Sequence, residues 1–171
     1  MDFFKLVEGR HSCRNYQTTP VEEQDLQRIL AAANRAPSAG NLQGYEIFVV
    51  RSQVQRGRLV KAAGDQEFLA EAPVVLIFCT NPGRSSERYS RRGVELYALQ
   101  DATIACTFAM LAITGLDLDT VWVGAFDETA VRQAAGIPAE LSPVAMLPIG
   151  KASAPPRLTE RRKLTELVHE A

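Results

Sequence analysis

The sequence is poor in the residues that build metal clusters, disulfide frameworks and hydrolase triads. Three cysteines (Cys13, Cys79, Cys106) and two histidines (His11, His169) occur in 171 residues. The cysteines have neither metal-type nor paired spacing. Cys79 falls in an apolar run and Cys106 in a helical segment, so both read as reduced core thiols, which predicts a cytoplasmic protein. No G-x-S-x-G elbow occurs, and neither does a dinucleotide fingerprint nor a Walker-type phosphate loop. Charge of one sign does not dominate: the net charge is −1, which removes the global field expected of a nucleic-acid or anionic-lipid binder. No run has the apolar length of a membrane span, and no leader-like segment is visible at the start, so no membrane association is expected. Internal repeats and low-complexity tracts are missing as well.

What remains is an ordinary globular balance, with 46% apolar and 23% charged residues. The length predicts one domain over 1–171 with a substantial core. Asp2 is placed to cap a first helix that stops at Gly9. Thr19-Pro20-Val21-Glu22 reads as a capping box with proline at the first helical position. It would open a helix carrying Leu26, Ile29, Leu30 and Ala33 and ending before Pro37. Tyr45 to Val50 and Val74 to Cys79 read as strands, the second buried on both faces because it shows no alternation. Thr120 to Val123 and Pro143 to Ile149 read as two further strands, the latter bulged or cut short by Pro148. Helices are predicted over Val54 to Ala63, Val94 to Ile113 and Asp127 to Ala135, with a helical turn near Gln66 to Glu71. The helix from Val94 is apolar nearly all round and must be buried on most sides.

Four stretches fit none of these elements. Arg10-His11-Ser12-Cys13-Arg14 packs two guanidiniums, an imidazole and a hydroxyl into five residues. Arginine forks match phosphate oxygens two at a time, and serine and histidine add donors. Pro37 to Gly44 is a small, polar loop rich in breakers. Arg84 to Arg92 reads as a solvated basic loop or lid. The stretch 151–171 forms a C-terminal arm, with Pro155 and Pro156 before Arg161-Arg162-Lys163 and the apolar Leu164, Leu167 and Val168. Cys13, flanked by Arg10, His11 and Arg14, also fits a redox thiol of lowered pKa. His169 reads as a solvated tail residue.

Taken in order, these motifs make the chain resemble the FMN-dependent nitroreductase family. Arg10 to Arg14 is similar to its R-x-S-x-R phosphate loop, and Ala36 to Gln43 to its A-P-S-x-x-N-x-Q loop. Asp101 through Leu116 resembles its central helix, Trp122-Val123-Gly124-Ala125-Phe126 its flavin turn, and Arg161 to Leu164 its last basic segment. The resemblance implies an α+β fold, a three-layer α/β/α sandwich around a central mixed, largely antiparallel sheet. It implies an enzyme that uses NAD(P)H to reduce nitroaromatic, quinone or related acceptors by ping-pong transfer. NAD(P)H would be a visiting substrate, since no Rossmann fingerprint is present. FMN is the implied cofactor, held by Arg10, His11, Ser12, Arg14, Pro37, Ser38, Ala39, Asn41, Gln43, Val123, Gly124 and Arg161. A backbone N–H near Gly124 would face the flavin N5. No side chain is implied as catalytic acid or base, and no metal is implied. The working unit would be a homodimer that exchanges the C-terminal arm, which would carry Arg161 to a phosphate outside the reach of its own chain. Gln43-Gly44-Tyr45 stands where the family has Gln-Pro-Trp, which predicts an altered pocket wall at Tyr45. The alternatives are a flavin-binding carrier or sensor without turnover, and a redox-thiol protein acting through Cys13.

Overall fold

The computed structural model describes residues 2–156 and 159–170. Asp2 caps α1 (Phe3–Gly9) by accepting the N–H groups of Phe4 and Lys5 at 3.0 and 3.3 Å. The capping box expected at Thr19 does not form: α2 (Glu23–Asn34) opens behind Glu22, which makes no side-chain cap. The preceding chain is drawn out by pairing with the end of the sheet, where Tyr16 bridges Ala152 and Gln17 N–H donates to Lys151 O at 2.8 Å.

The sheet has the order β1 (Tyr45–Val50), β2 (Val74–Thr80), β4 (Ser142–Gly150), β3 (Asp119–Thr120), antiparallel at every pairing. Its residues alternate between two cores, so β2 is buried throughout. Val75, Ile77 and Cys79 pack with α3 (Gln53–Ala62), α4 (Phe68–Glu71) and α7 (Glu128–Ala135). Val74, Leu76 and Phe78 pack with α2 and α6 (Ala98–Gly115) on the other face. The result is the α/β/α sandwich that the resemblance implies.

Pro148 lies inside β4 instead of ending it. The bulge falls near the other end, where the register with β2 shifts between Phe78 and Cys79. Met146 exchanges both backbone hydrogen bonds with Val123 (3.0 and 2.9 Å), so Pro148, two residues on, turns its nitrogen toward the β3 side. The lost donor explains why β3 is two residues long, with Val123 rejoining as an isolated bridge. The Pro148 carbonyl accepts from the Tyr16 hydroxyl at 3.4 Å.

Arg84 to Arg92 is not a loop but most of α5 (Pro82–Arg92), with Asn81 as cap and proline in its first turn. A π turn over Gly93–Tyr97 joins α5 to α6. By length and composition alone, the helical run Pro82–Gly115 could cross a membrane, which corrects the sequence reading. In this fold it is a core helix, with Ala98, Ala102, Ala105, Ala109 and Ile113 fully buried.

One polar residue in that apolar helix organises the loop before β1. Asp101 is almost fully buried; its Oδ1 accepts Ala39 N–H at 2.9 Å and its Oδ2 accepts Gly44 N–H at 3.1 Å. The carboxylate thereby closes a loop in which Gly40, Asn41 and Gln43 all take positive φ (56°, 57° and 51°). Such conformations cost about 1 kcal/mol or more for a non-glycine residue and persist only when the surroundings impose them. Asp101→Ala would strand both amides, and should lower the unfolding free energy by about 2–4 kcal/mol in urea titration. A loss below about 0.5 kcal/mol would show that the loop does not depend on this carboxylate.

Candidate functional site

Arg10, His11, Ser12 and Arg14 lie on one wall of a cleft of about 950 Å³. Val7 and Glu8 of α1 complete that wall, and Thr159 and Arg161 of the arm face it. Arg161 thus lines the same cleft as the basic loop of its own chain. Three arginines and two hydroxyl residues, Ser12 and Thr159, line it, with Glu8 as the carboxylate in the lining. That donor set fits a phosphate monoester, which takes charge-assisted hydrogen bonds from several directions.

The loop is fixed from behind. Cys13 N–H donates to Thr120 O at 3.0 Å, and Ser153 N–H donates to Asn15 O at 3.2 Å. His11 lines the cleft, with Nδ1 at 3.1 Å from Gly9 O; its buried Nε2 lies 3.1 Å from Asp119 Oδ1, close enough for an ion pair but without the alignment of a hydrogen bond. Cys13 does not face the cleft: it is buried, and its thiol donates to Asn15 O at 3.1 Å. Burial pushes that thiol above its ordinary pKa. The same cause raises Cys79 to about 12 and raises Cys106 as well. A protonated, enclosed Cys13 is the opposite of a poised redox thiol, which removes that alternative.

The residues from Pro37 to Gln43 do not line this cleft. They sit on the loop clamped by Asp101, where Ser38 Oγ accepts Gln43 N–H at 3.0 Å and the Gln43 amide donates to Asn34 Oδ1 at 2.9 Å. Helix α5 covers the loop: Arg84 Nε donates to Leu42 O at 3.0 Å, and a Cβ at Gly40 would stand 2.6 Å from the Tyr89 hydroxyl. Val123 is held by Met146, and Gly124 follows it in the open at the strand end. Neither lines the basic cleft.

Gly44 and Tyr45 turn out to be packing residues. A Cβ on Gly44 would meet Ser85 Oγ at 2.2 Å, and its N–H is needed by Asp101, so neither proline nor alanine fits. Tyr45 is buried in the core beside α2, its hydroxyl donating to Ala33 O at 3.2 Å. Its side chain thus packs into the core of its own chain. Sequence reasoning also passed over Asp101, whose signal was a lone acid in an apolar helix, and Asp119 and Thr159, for which the sequence carries no local signal.

A family model described as the nitroreductase family matches residues 7–66 and 60–151. An NADH dehydrogenase of Thermus thermophilus is 32% identical over 168 residues, covering 82% of this chain and 82% of that protein. An FMN reductase [NAD(P)H] of Bacillus subtilis is 29% identical over 149 residues, covering 87% of this chain and 54% of that protein. Among solved structures, the hypothetical oxidoreductase YcnD of Bacillus subtilis superposes with a TM-score of 0.91 at 25% identity, over 99% of this chain and 74% of that one. The motif order, the sandwich with its antiparallel sheet and these likenesses agree, and the chain belongs to the nitroreductase family of oxidoreductases.

Proposed function

We propose that the protein is an FMN-dependent oxidoreductase that takes hydride from NAD(P)H and passes reducing equivalents to a nitroaromatic, a quinone or a related small acceptor. The observation that carries this reading is the convergence of Arg10, Ser12, Arg14 and Arg161 on one cleft. These residues would hold the phosphate of FMN, with His11 bracing the loop between them. Pro37, Ser38, Ala39, Asn41 and Gln43 would supply contacts to the ribityl chain and ring, and Val123 and Gly124 a backbone edge beside the ring. When bound, FMN supplies the hydride chemistry; the chain supplies binding, orientation and electrostatics, with no side chain assigned as acid or base. A relative carrying the name FMN reductase supports the choice of flavin.

The protein should purify yellow with FMN or take it up on titration. Arg14→Ala removes one charged contact to the phosphate, worth about 1.5–3 kcal/mol, so FMN affinity should fall roughly ten- to a hundredfold in fluorescence titration. A colourless protein that takes up no added FMN contradicts the reading.

NAD(P)H and the acceptor would use one pocket in turn, since no second nucleotide-binding motif is present in the sequence. Initial rates at several fixed acceptor concentrations should then give parallel double-reciprocal lines. Intersecting lines would require a ternary complex. A protein that binds FMN and never oxidises NAD(P)H would be a carrier.

A homodimer is part of the same proposal. Phe4, Leu164 and Val168 are 72%, 74% and 64% exposed, and Leu99 and Phe108 lie open on the outer side of α6. This much apolar surface marks an association site, and two-fold pairing is the commonest way to bury it. Truncation after Ala154 should lower both dimer stability in sedimentation and FMN retention. A truncated protein that stays dimeric and yellow would exclude a role for the arm in either.

A further inference from the structure

We propose that Asp119 is the positioning residue of the phosphate cleft, setting both of its cation sources at once; this rests on the FMN reading above. Asp119 opens β3 at the sheet edge and is not itself part of the cleft lining. Its two oxygens reach two segments that are far apart in the chain. Oδ1 stands 3.1 Å from His11 Nε2, in the middle of the loop that carries Arg10, Ser12 and Arg14. Oδ2 accepts the N–H of Ala152 at 2.8 Å, at the root of the arm that carries Thr159 and Arg161. The neighbouring Thr120 carbonyl takes Cys13 N–H at 3.0 Å, so the same two-residue strand holds the loop by its backbone as well. The Gln17 side chain ties the far end of the loop to Ala152 O at 2.7 Å.

This arrangement solves a problem of charge. Arg10, Arg14 and Arg161 repel one another, and their side chains are long and lose rotamer freedom when ordered. A carboxylate behind the loop offsets part of that repulsion without entering the space where an anion would sit. The pair is four-fifths buried, with side-chain exposures of 19% for His11 and 20% for Asp119, so water screens it only in part. Partners that orient the ligands of a metal site change affinity by about ten- to a hundredfold when removed, and an effect at the lower end of that range is expected for a carboxylate that orients a phosphate loop.

Asp119→Asn keeps an oxygen for Ala152 N–H and removes the charge facing His11. FMN affinity should fall about tenfold, while the affinity for riboflavin, which lacks the phosphate, and the urea midpoint stay at wild-type values. His11→Gln provides the second variant, and the double variant should bind FMN no worse than the weaker single one, because the two residues act as a unit. Restoring the carboxylate as Asp119→Glu should recover part of the loss. Equal FMN affinity in wild type and Asp119→Asn would overturn this inference alone. Equal losses for FMN and riboflavin would reduce Asp119 to a fold-stabilising residue and overturn it too. If the wild-type protein binds no FMN, the functional proposal falls first.

Discussion

Holding cations together before any anion arrives is the constraint on which this molecule is built. Arg10 and Arg14 come from the start of the chain and Arg161 from its end, yet they share one cleft. Backbone pairing brings them there: Tyr16 bridges Ala152, Gln17 donates to Lys151, and Cys13 donates to Thr120. The sheet edge therefore serves as the frame of the site, and β3, shortened by Pro148, leaves room for the loop to lie against it. The backbone that carries these arginines is fixed in this way, which lowers the ordering cost of binding an anion there.

The second structural device lies on the opposite face of the sheet. Asp101, the only charged residue of α6, holds both ends of a loop with three residues of positive φ. A buried carboxylate is tolerated when hydrogen bonds satisfy it, and two amides do so here. Helix α5 closes over the same loop, and Ser85 packs so near Gly44 that no side chain fits between them. Both devices use an aspartate to fix backbone, one at the sheet edge and one in the core.

Local patterns made much of this legible. The unbroken apolar run of β2 announced a strand between two cores, the helical spacing of Leu26, Ile29, Leu30 and Ala33 marked the inner face of α2, and the apolar character of α6 on nearly all sides marked it as a core helix. Arg10 to Arg14 stood out because no amphipathic element needs its composition. The failures share a cause: they depend on contacts distant in sequence. Helix α5 lacks an apolar period and forms against the loop at Leu42, so its arginines read as a solvated segment. Pro148 is tolerated because its nitrogen faces a broken edge, which only the register reveals. Gly44 and Tyr45 stand where the family has proline and tryptophan and suggested a pocket, yet Ser85, Asp101 and Ala33 turn both into packing positions. Asp101 and Asp119 gain their roles from residues 57 and more than 100 positions away.

The central claim is that the cleft between the basic loop and the arm is a phosphate site for a flavin. A crystal structure grown in the presence of FMN tests it most directly. The account predicts the phosphate within hydrogen-bonding distance of Arg10, Ser12, Arg14 and Arg161, with His11 still against Asp119. A flavin phosphate bound elsewhere, with this cleft holding only solvent, would contradict it.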